Sequence, residues 1–206
     1  MPSVLITRPK YEEVTHYLFY WSSVLTGEAL KNGKLYKLDS EDANKKLLES
    51  YLTKQNPDIV ILNGHGNEYC VTGQNGEELI STGQNSTLLK NSHVYIRACS
   101  AGKVLGKEIV QNGAKSFIGY TEPFIFYRRK KLINTPLMDD YAQPFFETSN
   151  QVGISLINGK TAQEANEDSL KLYNKVISDL LTSKSENSFL IPDLIENMKR
   201  QVCLKA

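Results

Sequence analysis

The sequence predicts an α/β protein, a three-layer sandwich whose central sheet is mostly parallel, followed by a helical C-terminal extension. Three observations carry this. Short apolar runs recur along the chain at Val4-Leu5-Ile6, Asp58-Ile59-Val60-Ile61-Leu62 and Val94-Tyr95-Ile96-Arg97-Ala98. They have strand length and little alternation, the pattern of strands covered on both faces. Between them lie segments with helical spacing, long enough for the crossovers that parallel strands require. The chain shows no internal repeat and no low-complexity tract, and 206 residues suit a single domain spanning 1–206, with a core over about 1–120 and loop plus helices over about 121–206.

The first strand, Val4-Leu5-Ile6, turns at Thr7-Arg8-Pro9, and residues Tyr11 to Leu30 read as one helix with Val14, Leu18, Trp21 and Leu25 at helical spacing. Asn32-Gly33 stops it before a second strand, Leu35-Tyr36-Lys37-Leu38. Asp39-Ser40-Glu41-Asp42 offers caps and early negative charge to a helix ending near Leu52, and Asn56-Pro57 breaks it ahead of the strand through Leu62. Residues 67–87, rich in Gly, Asn, Thr and Ser, form a small hairpin excursion. After Val94–Ala98, a helix near Val104–Gln111 ends at Asn112-Gly113, and Lys115-Ser116-Phe117-Ile118-Gly119 makes a further strand. Residues 121–136 are loop-like; helices follow over about Leu137–Thr148, bent by Pro144, about Thr161–Thr182 and about Pro192–Leu204.

Lys plus Arg (24) nearly balances Asp plus Glu (23), so no global field draws the protein to nucleic acid or anionic lipid. No apolar stretch reaches the roughly 20 residues of a membrane-spanning helix, and Met1 to Arg8 carries no basic leader. The expected compartment is the cytoplasm, with no membrane or nucleic-acid partner. Three cysteines (Cys70, Cys99, Cys203) make no disulfide framework and match no zinc spacing, so no metal or cofactor is expected.

The candidate site is the pair Gly64-His65-Gly66 and Ala98-Cys99-Ser100, each at the downstream end of an apolar strand. Chemistry in open α/β sheets collects outside the carboxyl ends of the strands, and an imidazole beside a thiol is the minimum apparatus of a cysteine nucleophile. The other histidines fit poorly. His16 lies within the first helix, as a surface or boundary residue. His93 begins the Cys99 strand, roughly 20 Å from Cys99 at about 3.3 Å per residue. Cys70 and Cys203 read as small packing residues. The glycines flanking His65 allow a sharp turn and open amides. A helix beginning at about Ala101 places the Cys99 thiol near the positive end of a macrodipole.

Ile59-Val60-Ile61-Leu62-Asn63-Gly64-His65-Gly66, Val94-Tyr95-Ile96-Arg97-Ala98-Cys99-Ser100-Ala101-Gly102 and Gly113-Ala114-Lys115-Ser116-Phe117-Ile118-Gly119-Tyr120 resemble the caspase-like cysteine peptidases of clan CD. Those enzymes end an apolar strand in His-Gly and a later one in Ala-Cys. The resemblance covers about residues 58–120. Cys99 follows His65 by 34 residues and Arg97 stands where caspases have glutamine, which places the chain nearer the CHAT, gingipain-like and metacaspase-related branch than the caspases proper. No histidine follows Cys99, which excludes the papain-like peptidases and the Cys-His-Glu amidotransferases if Cys99 is the nucleophile.

The resemblance implies a caspase-like sandwich with a flavodoxin-like core, and a cysteine endopeptidase that cleaves protein or peptide substrates through a thioester acyl-enzyme. Cys99 is then the nucleophile, His65 the proton carrier, and the amides of Gly66 and Cys99 the oxyanion hole. No third catalytic residue is assigned. A regulatory protein partner or an activating ligand is compatible with it. Two other readings stand beside it: a catalytically silent caspase-like module that binds a partner protein or small ligand, and a flavodoxin-like ligand-binding domain with an incidental cysteine. The latter is weakened because Thr7-Arg8-Pro9-Lys10, with no glycine-rich loop, follows the first strand.

Arg97 leaves its strand on the same face as Cys99. Two readings stay open for it: a substrate-pocket guanidinium that forks onto an acidic side chain, or a salt bridge bracing a neighbouring loop. The run Arg128-Arg129-Lys130-Lys131 lies on the surface, as a solvated loop, a processing site or a polyanion- or partner-docking patch.

Overall fold

The computed structural model describes residues 1–182 and 185–205. Six strands, β1 (Ser3–Arg8), β2 (Lys34–Asp39), β3 (Ile59–Asn63), β6 (His93–Arg97), β7 (Ser116–Tyr120) and β8 (Gln201–Lys205), form one sheet in the order β2-β1-β3-β6-β7-β8. All neighbours are parallel except β7 and β8. A separate hairpin of β4 (Cys70–Thr72) and β5 (Glu78–Ser81) emerges between β3 and β6.

Side-chain alternation along the central strands sorts the core into two layers. Leu5, Val60, Leu62, Val94, Ile96 and Phe117 face one side, packed under α3 (Lys45–Gln55) and α4 (Leu105–Gln111). Val4, Ile6, Ile59, Ile61, Tyr95 and Ile118 face the other, under α2 (Ser23–Asn32), α5 (Gln143–Ile157) and α6 (Ala162–Thr182). The chain winds from β1 to β2 in one direction and from β2 to β3 in the other. Right-handed crossovers therefore put α2 and α3 on opposite faces. This is the three-layer α/β sandwich that the strand lengths foretell.

Several elements differ from the sequence reading, each for a local reason. The helix expected over Tyr11–Leu30 is two, α1 (Glu13–Trp21) and α2, divided at Ser22. The Ser22 hydroxyl donates to the Phe19 carbonyl, and the Arg8 guanidinium donates to both of these oxygens, so side chains occupy groups that a continuous helix would use. The cap of α3 is Asn44, whose side chain accepts from the Leu47 amide; Ser40–Asp42 form a separate 3₁₀ turn ahead of it. Pro144 does not bend a helix but opens one, in the first turn of α5, where its missing N–H costs nothing. The final segment is not one helix to Leu204: α7 (Ile191–Arg200) stops and the chain enters β8, paired from Gln201↔Tyr120 to Lys205↔Ser116. An unpaired edge of β7 decides that choice, since it offers five residues a ladder that a fraying helix end cannot match. Cys203 therefore sits in a strand.

Residues 121–142 wrap from β7 back onto α1. Their anchor is Asp139, fully buried, whose carboxylate accepts from the Tyr17 hydroxyl at 2.6 Å and from the Arg129, Tyr141 and Ala142 amides. Burial, with the Asp139 bond, pushes the Tyr17 hydroxyl pKa far up, so it stays a donor. Tyr17→Phe is expected to cost about 1.5–3 kcal/mol, the range for a hydrogen bond to a charged group, read as a lower urea midpoint with unchanged slope.

Candidate functional site

β3 and β6 pair in register from Ile59↔His93 to Asn63↔Arg97, and each chain then runs two residues further, to His65 and Cys99. The Gly64 amide donates to the Arg97 carbonyl at 3.4 Å, extending the ladder beyond the strands. A Cβ placed on Gly66 would lie 3.0 Å from Ala98 Cβ and 3.5 Å from the Cys99 carbonyl oxygen. His65 and Cys99 thus leave neighbouring strands at the same carboxyl-end rim, both half-buried. Among the described residues neither the Gly66 nor the Cys99 amide donates to a protein acceptor. The rim therefore holds an imidazole, a thiol and two open N–H groups.

The other candidates fall elsewhere. His93 opens β6 at the opposite, amino-terminal end of the strands, its Nδ1 against the Ser116 hydroxyl at 2.8 Å. Nε2 of His16 bonds the Ile133 carbonyl at 2.7 Å. Cys70 lies buried in β4 and Cys203 half-buried in β8; burial raises both thiol pKa values, the behaviour of packing cysteines.

Two sequence arguments about the rim need correction. Gly64 and Gly66 do not adopt a left-handed turn; they are required because the hairpin passes too close for a side chain. A Cβ on Gly64 would meet the Thr72 carbonyl oxygen at 1.9 Å, and one on Gly66 the Cys70 carbonyl oxygen at 2.7 Å. The Thr72 amide donates to the His65 carbonyl at 2.9 Å and the Asn67 amide to the Cys70 carbonyl at 3.0 Å, so the hairpin clamps the histidine segment on both sides. Nor does a helix start at Ala101. Ser100 has φ +58°, a conformation outside any right-handed helix, and its amide donates to the Glu122 carbonyl, while that of Gly102 donates to Tyr120. The first four residues after Ser100 are held by turns, α4 begins only at Leu105, and Cys99 receives no helix-terminus field.

A residue absent from the sequence reading comes to the rim from β1. Glu12 is the N-cap of α1: its carboxylate accepts from the Thr15 amide at 2.6 Å and the Val14 amide at 2.9 Å. The Thr15 hydroxyl accepts from the Glu12 amide, closing a capping box. The same Glu12 Oε1 lies 3.1 Å from His65 Nε2. Tyr11 sets its ring edge-on to the imidazole, with centroids 6.4 Å apart. Burial alone would raise the Glu12 carboxyl pKa. The Thr15 and Val14 amides, the Thr15 hydroxyl and His65 outweigh it and bring the group below its ordinary 4.5. The signal was present as Glu12-x-x-Thr15, the capping box with its acid and hydroxyl residues exchanged. Its partner, 53 residues away, was not.

Arg97 is neither exposed nor salt-bridged. It is 1% exposed, on the face of the sheet beneath α5. Its Nε and Nη2 donate to Asn63 Oδ1 at 3.1 and 2.8 Å, and its Nη1 to Ser149 Oγ at 3.0 Å and Asn150 Oδ1 at 2.7 Å. The guanidinium carbon stands 5.2 Å from the Phe146 ring centroid. Burial lowers its pKa, partly offset by the Tyr95, Tyr120 and Tyr173 hydroxyls. The guanidinium is thus consumed internally by neutral acceptors, and the substrate-pocket assignment for Arg97 is withdrawn.

A cleft of about 310 Å³ adjoins the rim, lined by Lys10, Tyr11, Glu12, Glu13, His16, Ile133 and Asn134. In the basic run, Arg128 pairs with Glu13 beside this cleft and Arg129 forks onto Asp140, whose pKa falls to about 2 through that bond. Lys130 and Lys131 are exposed. Among the described residues no group of three or more His, Cys, Asp or Glu side chains is arranged to hold a metal ion, and no helix is long and apolar enough to cross a membrane. No protein-family model matches the chain, and no curated protein is similar to it at a significant level.

Arg97→Ala is expected to orphan three buried acceptors and open a cavity, destabilising the fold by about 3 kcal/mol or more in chemical denaturation. A second outcome concerns pH. The lowered Glu12 pKa contributes stability that is present above the ordinary carboxyl pKa and is lost as pH falls through the folded-state value. The stability gap between wild type and Glu12→Gln should therefore narrow on acidification below about pH 4.5. A gap that widens there would contradict this assignment.

Proposed function

We propose that the protein is a cysteine peptidase of the caspase-like kind, acting on protein or peptide substrates through Cys99 and His65. One observation carries the reading: the register Asn63↔Arg97 delivers an imidazole and a thiol, two residues on, to the same rim of adjacent parallel strands. The strand order, with its helices on both faces, and the two open amides at Gly66 and Cys99 support it.

In the proposed reaction Cys99 Sγ attacks the scissile carbonyl carbon, and the thiol proton passes to His65. The carbonyl oxygen becomes an oxyanion beside the Gly66 and Cys99 amides, where preorganised donors stabilise charge as it develops. Collapse of the tetrahedral species breaks the C–N bond. The amine leaves with the proton from His65, and a thioester remains on Cys99. Water then adds to the thioester, giving its proton to His65, and the carboxyl product departs as the thiol is restored. The free thiol is a workable nucleophile because an adjacent base removes its proton. A peptide side chain beside the scissile bond has the Lys10–Asn134 cleft within reach. The surface run at Arg128–Lys131 is accessible to a regulatory partner at its two lysines.

The test is covalent labelling by a peptidyl acyloxymethyl ketone together with cleavage of a peptide library. Cys99→Ala and His65→Ala are expected to abolish cleavage, and Cys99→Ala the labelling, with native circular dichroism retained. Cys70→Ala and Cys203→Ala should cleave as wild type does. Cleavage by Cys99→Ala at the wild-type rate would mean another nucleophile. A wild-type protein that neither labels nor cleaves would favour the silent, partner-binding module.

A further inference from the structure

We infer that Glu12 is the positioning residue for His65, its carboxylate taking the Nε2–H so that Nδ1 is the nitrogen that exchanges protons with Cys99 and the leaving amine. This rests on the proposed peptidase reading for its chemistry, but its structural content stands alone.

The argument starts from donor inventory. A carboxylate only accepts, and a neutral imidazole has one N–H. At 3.1 Å from Glu12 Oε1, Nε2 must therefore be the protonated nitrogen, which leaves the lone pair on Nδ1. Amides at the start of α1 hold Glu12 anionic and fixed: both of its oxygens are occupied by Val14 and Thr15, and its own amide is returned to the Thr15 hydroxyl. A surface glutamate would spend rotamer entropy to reach a histidine; this one has already been ordered as a cap. β1 lies directly beside β3 in the sheet, so the segments that follow them, to Glu12 and His65, arrive at one place. The Tyr11 ring limits the imidazole on a further side. The His65 main chain is pinned as well, through its carbonyl to Thr72. With backbone and Nε2 both held, the ring has one orientation in which Nδ1 points away from Glu12.

The side chains are 44% and 36% exposed, so the contact is energetically weak and its value is orientational. Loss of the orienting carboxylate in a buried serine-protease triad costs about 10⁴ in kcat; for this partly solvated pair a loss of about 10- to 100-fold is expected.

Glu12→Asp separates the two jobs of the residue. Aspartate is a strong N-cap, so α1 should start as before and the urea midpoint should hold, while the carboxylate, one methylene shorter, no longer reaches His65. Glu12→Gln keeps the reach and loses the charge. Two readouts are used for each: steady-state cleavage of a peptide substrate, and the tautomer of His65 by ¹⁵N imidazole NMR. The expected result for Glu12→Asp is a kcat lower by about 10- to 100-fold with KM within twofold, and replacement of a single Nε2–H tautomer by a mixture. Glu12→Gln should fall between it and wild type. A Glu12→Asp protein with wild-type kcat and tautomer overturns the inference, as does a wild type protonated at Nδ1. If no peptide is cleaved by wild type but the tautomer is lost in Glu12→Asp, the peptidase reading fails and the positioning of His65 by Glu12 stands.

Discussion

The pairing of Asn63 with Arg97 across β3 and β6 is the interaction on which the candidate site depends. A slip of one residue would turn every side chain of one strand to the other face. It would part His65 from Cys99 and break up both core layers. The register is enforced by more than backbone bonds. Asn63 Oδ1 receives two N–H groups of the Arg97 guanidinium, and the Asn63 amide group donates in turn to the Thr7 carbonyl at 2.8 Å. Three strands are thereby tied together at the end that carries the chemistry. Arg97 also reaches Ser149 and Asn150 on α5, and Asn150 donates to the Trp21 carbonyl at the end of α1. A buried cation is costly, and here its hydrogen bonds are satisfied by neutral acceptors, so its contribution is to specify one arrangement.

The location of the rim follows from topology. Strand order reverses between β1 and β3, because the chain leaves β1 for β2 on one side and returns past it to β3 on the other. Loops following these two strands diverge to opposite faces and leave a crevice between them, where ligands of open α/β sheets bind. Glu12 stands at the end of the loop after β1 and His65 at the start of the segment after β3, so the 3.1 Å contact between them spans this crevice. The cleft along Lys10 to His16 is its continuation.

Local rules are broken on both segments of the rim. Ser100, beside Cys99, holds a positive φ that costs a non-glycine residue about 1 kcal/mol or more. Gly64 and Gly66 give up side chains so that the hairpin can press on the histidine segment. Most other buried positions of the central sheet are aliphatic or aromatic. Ser40, Asn56, Asn75 and Asn91 also hold a positive φ, so what sets the rim apart is that a strained residue and two close-approach glycines flank the same pair of side chains.

The sequence by itself determined the strands Val4–Ile6, Ile59–Leu62, Val94–Ile96 and Phe117–Ile118, their burial on both faces, and hence the parallel sandwich and the shared edge of His65 and Cys99. Those features depend on short-range pattern and on the handedness of crossovers, which act on any chain of this kind. Tertiary structure alone decided the rest. Gln201–Lys205 became a strand because β7 offered an open edge. The residues after Ser100 stayed non-helical because the Tyr120 carbonyl at the end of β7 takes the Gly102 amide and a turn closes from Lys103 back to Ser100. Arg97 was legible as a same-face neighbour of Cys99 and as a salt-bridging brace, but its burial among neutral acceptors was not, since they stand 34, 52 and 53 residues away. Glu12 fell at the start of the single helix expected from Tyr11 with no role assigned, because its role comes from β1 lying next to β3, a proximity that no spacing along the chain records.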